Sequence, residues 1–182
     1  RLDGTDAREP DPSHPGDKSK KSGQSRYGLL CPNSGGYLDF IRAQFEELCA
    51  NYEFEGIFLD MTFWPMICYC ENCRARYRAE TRLELPETAD WTDPDWLQFQ
   101  AARERWMADF TDYAAGVLRG LRPEVAIEMQ FSTVAHPWTF GVRTGVADSG
   151  DYTGGDLYGS FENQSFICKL YYGLTKNHPF EY

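Results

Sequence analysis

Apolar residues along this chain fall into segments whose spacing changes from one to the next. Tyr37, Ile41, Phe45, Leu48 and Tyr52 recur at three- and four-residue steps, with Arg42, Glu46 and Glu47 on the opposite side. That is the stripe of an amphipathic helix of about four turns. Pro32-Asn33-Ser34-Gly35-Gly36 ahead of it supplies residues that cap a helix start. Glu55-Gly56-Ile57-Phe58-Leu59-Asp60 follows, with consecutive apolar residues and no polar alternation, as expected of a strand covered on both faces and ending on a carboxylate. A short helix is expected near Arg74 to Glu80. Asp93-Pro94 then reads as an N-cap with proline at the first helical position. It opens a long helix whose buried face is Phe99, Trp106, Phe110, Tyr113, Val117 and Leu121, and which stops at Gly120 to Pro123.

Val125 to Phe131 is the next strand, and Asp148 to Tyr158 contains a weaker one ending in Gly155-Asp156-Leu157-Tyr158. Phe166 to Leu174 is expected to be a further strand, running toward His178-Pro179-Phe180-Glu181. Tyr27 to Cys31 is a strand candidate ahead of the first helix. Residues 1–26 are poor in large apolar side chains and rich in Asp, Pro, Gly, Ser and Lys, the composition of a long loop or a disordered tail. Strands alternating with helices indicate an α/β fold with parallel strands. No internal repeat is visible.

Composition narrows the function classes. A net charge of −10 opposes binding to nucleic acid or an anionic membrane surface. No apolar run approaches the roughly 18 residues of a membrane helix, so neither partner is expected. Nothing in the sequence assigns a compartment or an oligomeric state. Aromatic residues make up 15% of the chain, and such rings either fill a core or offer flat faces to sugar rings. No Gly-x-Gly-x-x-Gly, P-loop or Gly-x-Ser-x-Gly pattern occurs, which removes the common nucleotide-binding and serine-hydrolase readings.

The strongest chemical signal is Cys68-Tyr69-Cys70-Glu71-Asn72-Cys73, with Cys31 at the end of the preceding strand candidate. Parallel neighbours set their C-terminal loops side by side, so Cys31 and the triplet converge as four thiolates. Four cysteines make a closed, structural Zn2+ site that pins two loops and leaves no position open for water. The alternatives are one or two disulfides, or buried free thiols. Cys49, on the apolar helix face, and Cys168, among Phe166, Ile167 and Leu170, read as core residues.

Cys31-Pro32-Asn33-Ser34, a helix, an apolar strand ending in an acid, and the cysteine triplet followed by Tyr77 resemble the zinc-bearing β-galactosidases of glycoside hydrolase family 42. Those enzymes carry Asn-Glu after the strand, whereas this chain reads Asp60-Met61-Thr62. The run from Tyr27 through Asp60-Met61-Thr62-Phe63-Trp64 to Pro179-Phe180-Glu181 is more similar to bacterial glycosyl hydrolases of the α-L-fucosidase-like type, relatives of family 29, which place a nucleophilic Asp at the end of strand four. The resemblance implies a (β/α)8 TIM barrel. At 182 residues the chain falls below the roughly 250 of a closed barrel, so an incomplete segment covering about strands three to seven is expected, as one partial domain.

The implied activity is hydrolysis of O-glycosidic bonds by two carboxylates flanking the scissile bond. Acids at strand ends are therefore the catalytic candidates: Asp60, Asp148 or Asp151, Asp156 and Glu181. Asp60 with Glu181 is the expected pair, on strands four and seven, and Asp156 is the reserve. The fucosidase-like resemblance makes Asp60 the nucleophile, and the family 42 resemblance makes it Glu181. Trp64, Trp138 and Tyr158, in loops after successive strands, are expected sugar-stacking platforms, or else packing residues. His136 and Asn33 are expected to hydrogen-bond sugar hydroxyls, although a capping role is the simpler reading for Asn33. Glu128 falls inside a strand, with a structural and a substrate-binding role equally open. Alternatives to a fucosidase-like enzyme are a β-galactosidase-type hydrolase, a barrel that binds glycans without cleaving them, and a zinc module for protein contacts.

Overall fold

The computed structural model describes residues 30–64, 67–130, 138–141, 144–174 and 180–181. The tail over residues 1–26, most of the strand candidate Tyr27 to Cys31, and His136 lie outside the described residues. Helix α1 spans Gly35–Asn51, strand β1 Gly56–Leu59, α2 Glu71–Thr81, α3 Pro94–Leu121 and β2 Ala126–Gln130. Short 3-10 turns at Trp138–Phe140 and Thr144–Asp148 lead to β3 at Tyr152–Gly154, and α4, Phe161–Leu174, leads to β4 at Phe180–Glu181.

The strands form a four-stranded sheet in the order β1-β2-β3-β4, with every neighbouring pair parallel. Spatial order thus equals chain order, and each step between strands is a crossover. Phe58 lies opposite Glu128, which lies opposite Tyr152, and one rung higher Gln130, Gly154 and Glu181 line up across three strands. Ile57, Leu59, Ile127 and Met129 pack with Phe45, Ala114, Ala115, Val117 and Leu118 in one core between the sheet and helices α1 and α3. Side chains alternate along a strand. Phe58, Glu128 and Tyr152 therefore face away from the helices. Among the described residues the apolar run of β1 is covered on one face only, and Phe58 is about half exposed on the other, at 49%.

Phe166 to Leu174 is helical, which corrects the strand expected there. Ile167 and Tyr171 are buried four residues apart, and Leu170 packs beside them, while Phe166 and Tyr172 are exposed. A strand would bury every second residue instead. Short continuous apolar runs do not distinguish the two by pattern. The strand begins further on, so Glu181 lies within β4 rather than after it.

Asp93 caps α3 by accepting the Asp95 N–H at 2.9 Å, and Pro94 sets the first helical turn. The helix has 28 residues, about 42 Å at 1.5 Å per residue, far longer than the strands it crosses. At its C-terminal end Arg122 donates to the carbonyls of Cys49 at 2.7 Å and Tyr52 at 3.0 Å, satisfying orphan acceptors at the end of α1 just before β1 begins. This fixes the end of α3 at the starts of the strands. Its N-terminal half overhangs the strands' C-terminal ends, where Trp96, Phe99, Trp106 and Met107 form a second core with Tyr77, Leu85 and Cys73.

Candidate active site and cysteine cluster

Cys31 lies just before the turn that opens α1, and its carbonyl accepts the Ser34 N–H at 3.0 Å. Cys68 lies in the segment leading to α2, Cys70 takes the position before the helix, and Cys73 is in its first turn. The four Sγ atoms lie within 4.8 Å of one another. Cys31 and Cys73 are 3.4 Å apart, Cys70 and Cys31 3.5 Å, and Cys70 and Cys73 3.8 Å. A disulfide needs about 2.05 Å, whereas the edge of a sulfur tetrahedron around a cation at ~2.3 Å is about 3.8 Å. The cluster thus has the spacing of a tetrahedral ligand set. None of the six cysteines is in a disulfide with another described residue.

Electrostatics agree with that donor set. Hydrogen bonds from Cys31 and Cys73 push the Cys68 thiol down from its ordinary range, favouring the thiolate there. Cys31 is pushed up by its bond to Cys68, and Cys73 by its bonds to Cys31 and Cys68, with burial adding to both. Asn33 is committed to this cluster. Its Nδ2 donates to Cys73 Sγ at 3.4 Å and its Oδ1 accepts from Arg76 at 2.9 Å, an arrangement that orients the ligands. Arg76 also bonds Glu80 and Asp109 and lies over the Trp106 ring, tying the cluster to α3.

Asp60 is the residue after β1, exposed and level with Gln130 on β2. The chain turns sharply behind it, because Met61 adopts a left-handed φ of 55°. Gln130 holds that turn. Its Oε1 accepts the Met61 N–H at 2.8 Å, and its carbonyl accepts the Thr62 N–H at 2.9 Å and hydroxyl at 2.6 Å. Gln130 is only 1% exposed and its Nε2 has no hydrogen-bond partner among the described residues. Glu128 faces the same side, and its carboxylate leans across β3 into the space above Gly154. A Cβ there would fall on Glu128 Oε1. Asp60, Gln130, Gly154 and Glu181 thus mark one level across four strands at their C-terminal ends.

The other predicted residues separate. Asp156 is half buried two positions past β3 and accepts from Tyr158 Oη at 3.4 Å; Tyr158 itself is exposed. Asp151 precedes β3, accepts the Ile127 N–H at 2.9 Å and pairs with Arg119 at 3.3 Å. It belongs to the strand starts, at the end of the sheet away from Asp60. Asp148 is exposed in the turn before it. Trp64 is 3% exposed with the Arg103 guanidinium 5.5 Å from its ring centroid, so its faces are occupied by the core. Trp138 is 39% exposed, and its carbonyl accepts from Gln100 at 3.1 Å. Gln130 was not singled out from sequence; the available signal was a second polar residue two positions from Glu128 in an apolar strand.

Fold and site together define a parallel α/β unit with acids at the strand C-terminal ends and a four-thiol cluster on the loops beside them. In fold it is similar to the β-galactosidase from the psychrophilic Marinomonas ef1, at 14% identity and a TM-score of 0.65, over 85% of this chain and 32% of that one. It is similar also to the PgaB (BpsB) glycoside hydrolase domain from Bordetella bronchiseptica, at 16% identity and 0.58, over 83% and 44%. The β-galactosidase from Bacillus circulans sp. alkalophilus aligns at 14% identity and 0.57, over 80% and 27%. The likeness is one of fold, and the chain spans less than half the length of each of these structures. No protein-family model and no curated protein matches the sequence.

Proposed function

We propose that this chain is a glycosidase unit that cleaves O-glycosidic bonds with Asp60 and Glu181 as the reacting carboxylates. The observation that carries the reading is their placement. Both stand at one level at the C-terminal ends of parallel strands, with two strands between them, in a fold shared with glycoside hydrolases. Barrel enzymes build their sites at this end of the sheet. Three strand spacings amount to about 14 Å along a flat sheet. The curvature of a closing barrel sheet shortens this toward the about 5 to 9.5 Å that two reacting carboxyls require. Asp156 is the reserve for the second role.

Zn2+ fits the four thiols, and its role is to pin the loops beside the site. Cys31, Cys68, Cys70 and Cys73 would hold it, with no position left for substrate. Asp60-Met61-Thr62 in place of Asn-Glu favours an α-L-fucosidase-like specificity with Asp60 as nucleophile; the β-galactosidase neighbours favour a β-galactoside. Nitrophenyl α-L-fucoside and β-D-galactoside discriminate the two. Asp60→Asn is expected to lower turnover of the accepted substrate by at least 10³-fold, and unchanged turnover would remove Asp60 from the reaction.

A further inference from the structure

Three tryptophans meet at the overhanging end of α3. Trp91 and Trp138 have ring centroids 5.2 Å apart at 87°, Trp96 and Trp138 5.7 Å at 89°, and Trp91 and Trp96 6.3 Å at 85°. Three mutually perpendicular indoles make a corner. Trp96 is fully buried as its base, while Trp91 and Trp138 remain 50% and 39% exposed as its walls.

Both walls are held by dedicated hydrogen bonds. The Asp90 carboxylate takes the Thr92 N–H at 2.9 Å and hydroxyl at 2.7 Å, and the Asp90 carbonyl takes the Asp93 N–H at 3.0 Å, closing the turn that carries Trp91 into the α3 cap. Trp138 is fixed from below by the buried Gln100, which donates to its carbonyl and accepts from Arg103 at 2.7 Å. Such anchoring lowers the entropy lost when a ligand settles on the rings. Trp138 comes after β2 in the chain and packs on the overhanging end of α3, so the corner stands at the same end of the sheet as Asp60.

We propose that Trp91 and Trp138 form a glycan subsite, one ring stacking on the C–H face of a sugar while the other closes its side. It accepts a neutral oligosaccharide unit outside the reacting pair, so the substrate of the proposed glycosidase is an extended glycan rather than a monosaccharide glycoside. The substrate statement rests on the glycosidase reading; the binding statement does not. A neutral sugar is favoured over an anionic one because the chain carries a net charge of −10 and Asp90 stands at the corner. A perpendicular pair of this size also matches one pyranose ring better than it does a protein surface, which needs about 800 Å² per partner.

The test is an array of neutral and acidic glycans probed with wild-type protein, Trp91→Ala and Trp138→Ala, with affinities for the best neutral oligosaccharide then measured by calorimetry. Wild type is expected to bind neutral oligosaccharides in preference to single sugars, and each variant to bind at least about tenfold more weakly while still unfolding in one cooperative transition above the assay temperature. A wild type that binds no array glycan, a preference for acidic glycans, or variants that retain wild-type affinity would overturn the subsite. Asp60→Asn in the same assay keeps the two ideas apart, since loss of turnover with binding intact supports both, and intact turnover in that variant removes the reacting pair without touching the corner.

Discussion

The backbone N–H of Met61 donates to the side-chain Oε1 of Gln130 at 2.8 Å, so the residue after Asp60 is tied to the neighbouring strand by a side chain and not by the sheet ladder. Gln130→Leu removes that acceptor from a turn already held at positive φ. The expected cost is about 1–3 kcal/mol, the penalty of a buried donor left unsatisfied. Urea denaturation measures it. Gln130→Glu, which keeps the acceptor, should recover part of the Asp60-dependent turnover, and equal losses in the two variants would show that the bond does not position Asp60.

Gly154 and Glu128 should be thermodynamically coupled. Gly154→Ala puts a methyl group where Glu128 Oε1 lies, and the flexible carboxylate must swing aside. In a double-mutant cycle with Glu128→Ala, an interaction energy of about 0.5–3 kcal/mol is expected. Additive effects would mean that the space above Gly154 is not reserved for the carboxylate.

Metal analysis should find about one zinc per chain, and Cys70→Ser should lower both zinc content and melting temperature. Binding displaces thiol protons, so affinity is expected to fall as pH decreases. Wild-type stability unaffected by a strong chelator would count against a resident cation.

Glu80 provides a pH signature. Burial raises its pKa, but the bonds from Arg76 and Trp106 and the charge of Arg105 outweigh that and leave it lowered overall. Its folded-state pKa is thus below the unfolded value. The stabilisation is present above the usual carboxylate range and is lost as pH falls through the lowered folded-state value. With the Glu80 side chain 30% exposed, the effect is screened to about 1 kcal/mol or less. Glu80→Gln should cost that much at neutral pH and nothing at pH ~2, as read from paired thermal melts.

The long amphipathic helices and the Asp93-Pro94 start were legible because their signals are local and repeat over several turns. The cysteine cluster was legible for a similar reason, since its spacing carries the chemistry and the turn before α1 brings Cys31 alongside the triplet. Phe166 to Leu174 was misread because nine mostly apolar residues carry no period, and the choice was made by burial of Ile167 and Tyr171 against α3's core. The Glu128–Gly154 contact and the Gln130–Met61 bond depend on strand register, which no local pattern encodes. Trp64 shows the same limit in reverse, since its position in a strand-end loop gave no hint that Arg103, on a distant helix, would cover it.

Helix α3 belongs to both hydrophobic cores, with Leu118 in one and Trp106 in the other. A continuous ladder of backbone hydrogen bonds joins them, so neither core can open without fraying a helix that the other still needs. Protection against amide exchange should accordingly be nearly uniform from Phe99 to Leu118. Loosening the thiol loops should then raise exchange in β2, at the opposite end of the same rod.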